Sequence, residues 1–292
     1  MNNKINIFLK LAKAGHWDKA LKTINDISFS EVQRNSIALF ALADCEYELG
    51  RYNKAVELYD LHTKLYPDHK AKNFVLYNIG LIKLEQNSFE EALSFFNKVN
   101  SDHRDLSFRK AECFYHAKQY QDCITTLADA VSSGSSRSEA YWRLGLAYDK
   151  LDAHADSLVA FQTCLREGGC WPELYDFIVS KLIWLKRTRD AESFYREHQT
   201  KLPSDFKVLY RIAISYNANR NFRDAIRVLL EYLSDNPLDA EALTHLGINH
   251  YLVTPPNLKT ARICLERSLV IEPDSVDTLR AIEQLNIYER QL

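Results

Sequence analysis

Small residues recur along this chain at a nearly fixed interval, each inside an amphipathic helical pattern. Ala20, Ala55, Ala92, Cys123, Ser157, Ala191, Ala225 and Ala261 mark the recurrence, and subtraction of successive numbers gives intervals of 31 to 37 residues. A period of this length excludes most folds, because one such unit cannot bury its apolar face alone and must stack on its neighbours. The clearest unit runs from Ser138 to Leu165. Tyr141, Leu144, Gly145 and Tyr148 follow one another at helical spacing, a break falls at Asp152 and Ala153, and Ser157, Leu158, Phe161, Cys164 and Leu165 form a second stripe. A glycine in a helix interior costs roughly 1 kcal/mol against alanine. Gly145 therefore predicts a neighbouring helix that passes too close to admit a side chain.

Counted from nineteen residues before each marker, units start at 1, 36, 73, 104, 138, 172 and 206, and Gly247 sets the eighth at 240. The seventh and eighth places then hold Leu42-Ala43, Ile79-Gly80, Leu144-Gly145, Ile178-Val179, Ile212-Ala213 and Leu246-Gly247. The twenty-fourth place holds Tyr59, Phe96, Leu127, Phe161, Tyr195 and Leu229. Pro67, Pro203 and Pro237 share the thirty-second, and Pro273 matches after a two-residue insertion. Proline ends a helix because it cannot continue the hydrogen-bond ladder. This pattern resembles the tetratricopeptide repeat family over almost the whole chain.

The resemblance implies an all-α, right-handed solenoid superhelix of antiparallel helix pairs. It is read as a single continuous array of about eight repeats over 1–274, closed by a capping helix over 275–292. The departures carry expectations of their own. Repeat 1 has a weak first helix and reads as the N-terminal cap, and repeat 2 carries extra residues near Asp68 to Lys72. Repeat 3 runs early into Asn100-Ser101-Asp102-His103, and repeat 4 has Lys110 and Ala111 in place of the usual pair. Thr254-Pro255-Pro256-Asn257 predicts a protruding turn in repeat 8. In the capping helix, Val276, Leu279, Ile282 and Leu285 are expected to face inward, with Asp277, Arg280, Glu283 and Arg290 covering the end.

The chain is 46% hydrophobic and 26% charged with a net charge of -2, which gives no electrostatic case for nucleic acid or an anionic membrane. No apolar run approaches a membrane span. The apolar stretch from Ile5 to Leu9 is too short for an export signal and reads as a first amphipathic helix. Six cysteines without a CxxC pair fit a reduced, cytoplasmic setting, with Cys170 in its Gly168-Gly169 loop the most reachable. Nine histidines are scattered, mostly on helix faces and turns expected to be solvated, and no metal site is expected. No nucleotide, zinc-protease or nucleophile-elbow motif occurs. The expectation is a protein that is not an enzyme and uses no cofactor.

In the resembled family the first helices line a concave groove. Carried onto this chain, its groove positions give the aromatics Phe40, Tyr47, Phe74, Tyr77, Phe108, Tyr115, Trp142, Trp184 and Tyr210, and the bases Arg109, Arg143, Lys207 and Arg211, as the residues expected to bind a peptide. Ten acids against five bases at these positions would favour a basic or mixed segment. Some of these aromatics would instead pack between helices. The arginines at the sixth place would either meet a ligand or pair locally, Arg109 with Asp105 and Arg143 with Glu139. Arg211 has no such neighbour and is the stronger ligand candidate. Lys207 and Arg211 are similar to part of the carboxylate clamp of chaperone-binding family members, but Trp142 and Leu146 stand where that clamp has Lys and Asn. Only Asn78 matches the asparagine ladder of the O-linked N-acetylglucosamine transferases.

The favoured expectation is a scaffold or adaptor that holds an extended or helical segment of another protein, with Trp142 as its foremost anchor. Two rivals are the recognition or regulatory module of a bacterial enzyme system, such as a glycosyltransferase or sulfotransferase, and a module that assembles end to end. The polar outer face expected of the last helix argues against the latter. The sequence leaves oligomeric state open.

Overall fold

The computed structural model describes residues 3–67, 71–100, 105–132, 137–203 and 206–291. Among them the chain forms eighteen α-helices, one 3-10 turn at Gln199–Lys201 and no strand. The helices fall into antiparallel pairs: α1 (Asn3–Lys13) with α2 (Trp17–Asn25), α4 (Ser36–Glu48) with α5 (Tyr52–Leu65), α6 (Lys72–Glu85) with α7 (Phe89–Lys98), and α8 (Leu106–His116) with α9 (Tyr120–Ser132). Next come α10 (Arg137–Lys150), α11 (His154–Arg166), α12 (Pro172–Trp184), α13 (Thr188–His198), α14 (Val208–Ala218) and α15 (Phe222–Asp235). Last are α16 (Ala240–Leu252), α17 (Leu258–Ile271) and α18 (Val276–Glu289). A short helix, α3 (Phe29–Gln33), stands between the first two pairs, where no helix was expected. The all-α array of helix pairs is thus as the sequence implies. The contacts, however, gather into two compact units, Met1–Ala140 and Tyr141–Leu292, where the sequence reads as one array.

The turn inside each pair has a common backbone device. Gly15, Gly50, Asn87, Lys118, Asp152, Lys186 and Arg220 all have positive φ, between 56° and 74°, at the same place in seven successive hairpins. A left-handed residue there reverses the chain in few residues, which favours glycine, and only the first two hairpins supply one. The eighth turn differs: its Asn257 N–H donates to the His250 carbonyl at 2.8 Å, and its side chain caps α17 through the Thr260 N–H at 3.1 Å.

The small residues act as predicted. A Cβ on Gly80 would overlap the Phe96 ring, one on Gly145 the Phe161 ring, and one on Gly247 the Leu265 side chain. Ala111, in the repeat that lacked the usual signature, is fully buried and fills the same role. Ser157, at a marker position, donates its hydroxyl to the Gly145 carbonyl at 2.9 Å, so the marker both spares volume and ties the pair. α1 is amphipathic, with Ile5, Phe8 and Ala12 buried, as expected for the first helix.

The last helix corrects the sequence reading. Thr278, Ala281 and Leu285 form its buried face, with Ile282 partly covered, whereas Val276 is 57% and Leu279 48% exposed. Ser275 caps the helix by accepting from the Thr278 N–H. Thr278 then turns inward to bond the Thr244 hydroxyl at 2.7 Å and the Ser268 hydroxyl at 3.1 Å. A buried hydroxyl must be partnered, and these partners on α16 and α17 fix the rotation of α18 that leaves Val276 and Leu279 outside. Parts of the irregular stretches lie outside the described residues, namely 68–70, 101–104 and, in the serine-rich loop, 133–136.

Candidate functional site

In the first unit, the expected groove aromatics belong largely to the packing between paired helices. Phe40 lies with its ring centroid 5.9 Å from Tyr59 and also 5.9 Å from His62. Tyr77 is buried against Phe96 at 5.6 Å, which corrects its expected place in an open groove. Tyr47 meets Tyr52 at 5.8 Å, and Tyr115 meets Tyr120 at 5.7 Å. Arg109 covers the Phe108 ring and pairs with Glu112 at 2.9 Å, one turn after it, and not with the Asp105 one turn before it that spacing suggested. Phe74 is the exception and is more than half exposed. Beneath this surface Asp44 accepts from the Tyr59 hydroxyl and from the Asn78 amide. Burial raises its pKa to about 6 despite those two bonds, and Glu48 adds to the rise.

The same substitution of packing for exposure occurs at Trp142. Its ring stands 5.4 Å from Phe161, 5.7 Å from Trp171 and 5.5 Å from Phe177. This residue was the foremost expected anchor, and it is instead one wall of an aromatic cluster. The cause is visible in the repeat register. The fifth place of a first helix faces the twenty-fourth of its own second helix, so Phe40 meets Tyr59, Tyr77 meets Phe96 and Trp142 meets Phe161. A large ring at both places buries Tyr77 and leaves Phe40 and Trp142 partly covered. Arg143 is half-buried on the same helix.

Trp184 is different. At the end of α12 it is 62% exposed, and one face of its indole rests on the His154 ring at 3.8 Å. His154 and Lys181 are buried under it, which corrects the expectation that histidines lie on solvated faces. Lys181 pairs with Asp149, and His154 Nδ1 stands 3.5 Å from the same carboxylate. Trp184 thus sits on a polar platform drawn from α10, α11 and α12, and its outer face is open.

Beside it opens a cavity of about 710 Å³ along α12, α14 and α16. Ile183, Trp184, Tyr210, Ile214, Glu241 and His245 supply much of its wall, with Arg211 and Lys186 at its polar edge. A second cavity, of about 480 Å³, shares Glu241 and His245 and continues toward Arg280 and Gln284 of α18. Of the residues expected from sequence, Trp184, Tyr210 and Arg211 therefore converge. Lys207 stands beside them, 6.0 Å from the Tyr210 ring.

The cations are engaged. Arg211, expected to lack a partner, pairs with Asp176 and bonds the Ser180 hydroxyl, both one repeat earlier. Lys207 pairs with Asp239 at 3.0 Å, one repeat later. Spacing along one helix could not reveal either bond, because both cross between repeats. Tyr210 is held un-ionised by burial and by its bond to Glu241. Burial lowers the His245 pKa against the opposing pull of Glu241, Asp277 and Asp239, which favours a neutral ring. Sequence reasoning did not single out His245 or Ile214 for binding. Their signal was register, since His245 shares the sixth place with Arg211 and Ile214 takes the ninth of its repeat.

The open chemistry is thus an indole face, two isoleucines and an exposed Glu241 carboxylate, next to the exposed Lys186 and to Arg211 and Lys207, which are already paired within the protein. Among the described residues, no three histidine, cysteine or acidic side chains converge as a metal cage requires. No helix among them is long and apolar enough to cross a membrane. Cys170 is exposed and the other five cysteines are buried, as expected.

Two family descriptions match the chain, both of the tetratricopeptide repeat: one over residues 6–70 and 210–251, the other over 75–101. Among solved structures, MamA AMB-1 is similar at 15% identity and a TM-score of 0.51, over 57% of this chain and 98% of that one. A MamA fragment from Desulfovibrio magneticus RS-1 is similar at 18% identity and a TM-score of 0.51, over 57% of this chain and 94% of that one. These likenesses show the fold alone. No curated protein matches the chain.

Proposed function

We propose that this chain, which belongs to the tetratricopeptide repeat family, is a protein-interaction scaffold that holds a short segment of a partner protein in the groove along α12, α14 and α16. The observation that carries the reading is the exposed Trp184 seated on a buried polar platform at the edge of a cavity walled by Ile183 and Ile214. A large ring held still and left uncovered loses little entropy on binding, and tryptophan is among the residues that dominate interfaces. The segment that fits carries an apolar or aromatic side chain for the indole and isoleucines, followed by a basic one for Glu241. Arg211 and Lys207 act as positioning groups, because each is already bound to an acid of a neighbouring repeat.

The test uses peptides selected from a displayed random library by the whole chain. Trp184→Ala should weaken the selected peptides at least about tenfold, the loss expected of an interface anchor, while thermal stability changes little. Trp142→Ala should instead lower stability by about 2–3 kcal/mol, because it opens a hole among three rings. Unchanged affinity in Trp184→Ala removes the groove from the explanation.

A further inference from the structure

The outer face of α18 is patterned to meet a copy of itself. Val276, Arg280, Glu283 and Ile287 lie in one stripe, since successive separations of four, three and four residues return to the same side of a helix. The stripe points away from the buried face of Thr278, Ala281 and Leu285. Val276 is 57% and Ile287 49% exposed, Leu279 flanks them at 48%, and Glu283 is exposed. Arg280 has only a 3.8 Å contact with Asp277, both side chains being largely in solvent.

The order of the stripe is apolar, basic, acidic, apolar, and it is symmetric about a point between Ala281 and Ile282. Val276 and Ile287 are equally far from that point on either side, and so are Arg280 and Glu283. A two-fold axis through the point places a second α18 antiparallel to the first. Val276 then faces Ile287 of the second copy, and Arg280 faces Glu283 of the second copy, with each contact made twice. An isologous contact requires this self-complementarity of a single patch. A parallel pair would set Arg280 beside Arg280 and Glu283 beside Glu283.

We propose that α18 is a homodimerisation surface through which two copies of this chain pair antiparallel, with Val276 on Ile287 and Arg280 on Glu283. The inference does not rest on the groove around Trp184, although Arg280 also lines the second cavity beside it. A 14-residue helix is about 21 Å long, so the contact lies at the small end of specific interfaces and the dimer is a weak one. Its occupant is a second copy because the two-fold relation sets each apolar residue of this face on an apolar one and each charge on its opposite.

Sedimentation equilibrium of the whole chain from about 10 µM to 1 mM brackets the dissociation constants of such weak contacts. The wild type should pass from monomer to dimer across that range. Arg280→Glu and Glu283→Arg should each weaken the dimer about tenfold, because each places two like-charged pairs in the contact. The double variant R280E/E283R should return to within about threefold of the wild type, since the swap preserves complementarity. All four positions are in solvent, so an unchanged circular dichroism spectrum separates lost pairing from lost folding. A strict monomer, a dimer indifferent to the single reversals, a double variant that is not restored, or growth beyond a dimer would each overturn the proposal.

Discussion

Asp44, on the first helix of a pair in the first unit, and Glu192, on the second helix of a pair in the second, are each wedged between consecutive helices and bonded to a tyrosine hydroxyl. Their environments then diverge. Asp44 is bound by the neutral donors Tyr59 and Asn78, and burial carries its pKa up to about 6. Glu192 receives both guanidinium nitrogens of Arg227 at 2.8 Å, together with Arg196 and the Tyr216 hydroxyl at 2.8 Å. The bonds from Arg227 first, and then those from Tyr216 and Arg196, hold it near 2 against the opposing cost of burial. The lesson is that neutral donors seat a carboxylate between helices but do not repay its desolvation, whereas forked cations do. The helices also differ in what they leave open. Around Asp44 the rings pack against one another, while α14, which supplies Tyr216 to Glu192, also borders the Trp184 groove.

The most forceful way to break this contrast is Glu192→Ala. It takes the shared acid from Arg196, which keeps Glu231, and from Arg227, which keeps Asp224, and it removes the acceptor of the Tyr216 hydroxyl. Losing one partner of a buried ion pair costs about 3–5 kcal/mol, and with both arginines partly in solvent about 2–3 kcal/mol is expected here. Denaturant titration followed by the tryptophans of the second unit, Trp142, Trp171 and Trp184, reads it directly. In the wild type the Glu192 contribution is complete above about 4.5 and is lost as pH falls toward 2, because the folded state holds the proton less readily than the unfolded.

Asp44→Asn should act in the opposite direction. Its folded-state value lies above the unfolded 3.8, so the wild type loses stability as pH rises from about 4 through 6. The amide keeps both bonds without the buried charge, and a gain of about 1–2 kcal/mol at pH 8, vanishing near pH 4, is expected. Hydrogen exchange over α4 to α6 measures it. Destabilisation at pH 8 would show that Asp44 is effectively charge-compensated and would erase the contrast.

The sequence disclosed the array and its register well, because the period and the small residues are consequences of packing between neighbours in the chain. Gly80, Gly145 and Gly247 could be read as close approaches from their positions alone, and all three are. It disclosed the site poorly. Tyr77 and Trp142 share a register place that looks outward on a single helix, and the ring opposite each in its partner helix buries Tyr77 and partly covers Trp142. Arg211 looked unpaired because Asp176 is 35 residues away in sequence. The outer face of α18 was misjudged for a related reason. Thr278 is polar by type but is buried by its bonds to Thr244 and Ser268, and it turns Val276 and Leu279 outward.

The proposed function assigns binding to the open groove around Trp184 and not to the aromatic surface of α4 and α6, where the rings other than Phe74 are partly or wholly covered. Hydrogen exchange of the whole chain, with and without a saturating display-selected peptide, tests this most directly. Added protection confined to α12, α14 and α16 is the predicted result; protection over α4 and α6, with α12 unchanged, would contradict it.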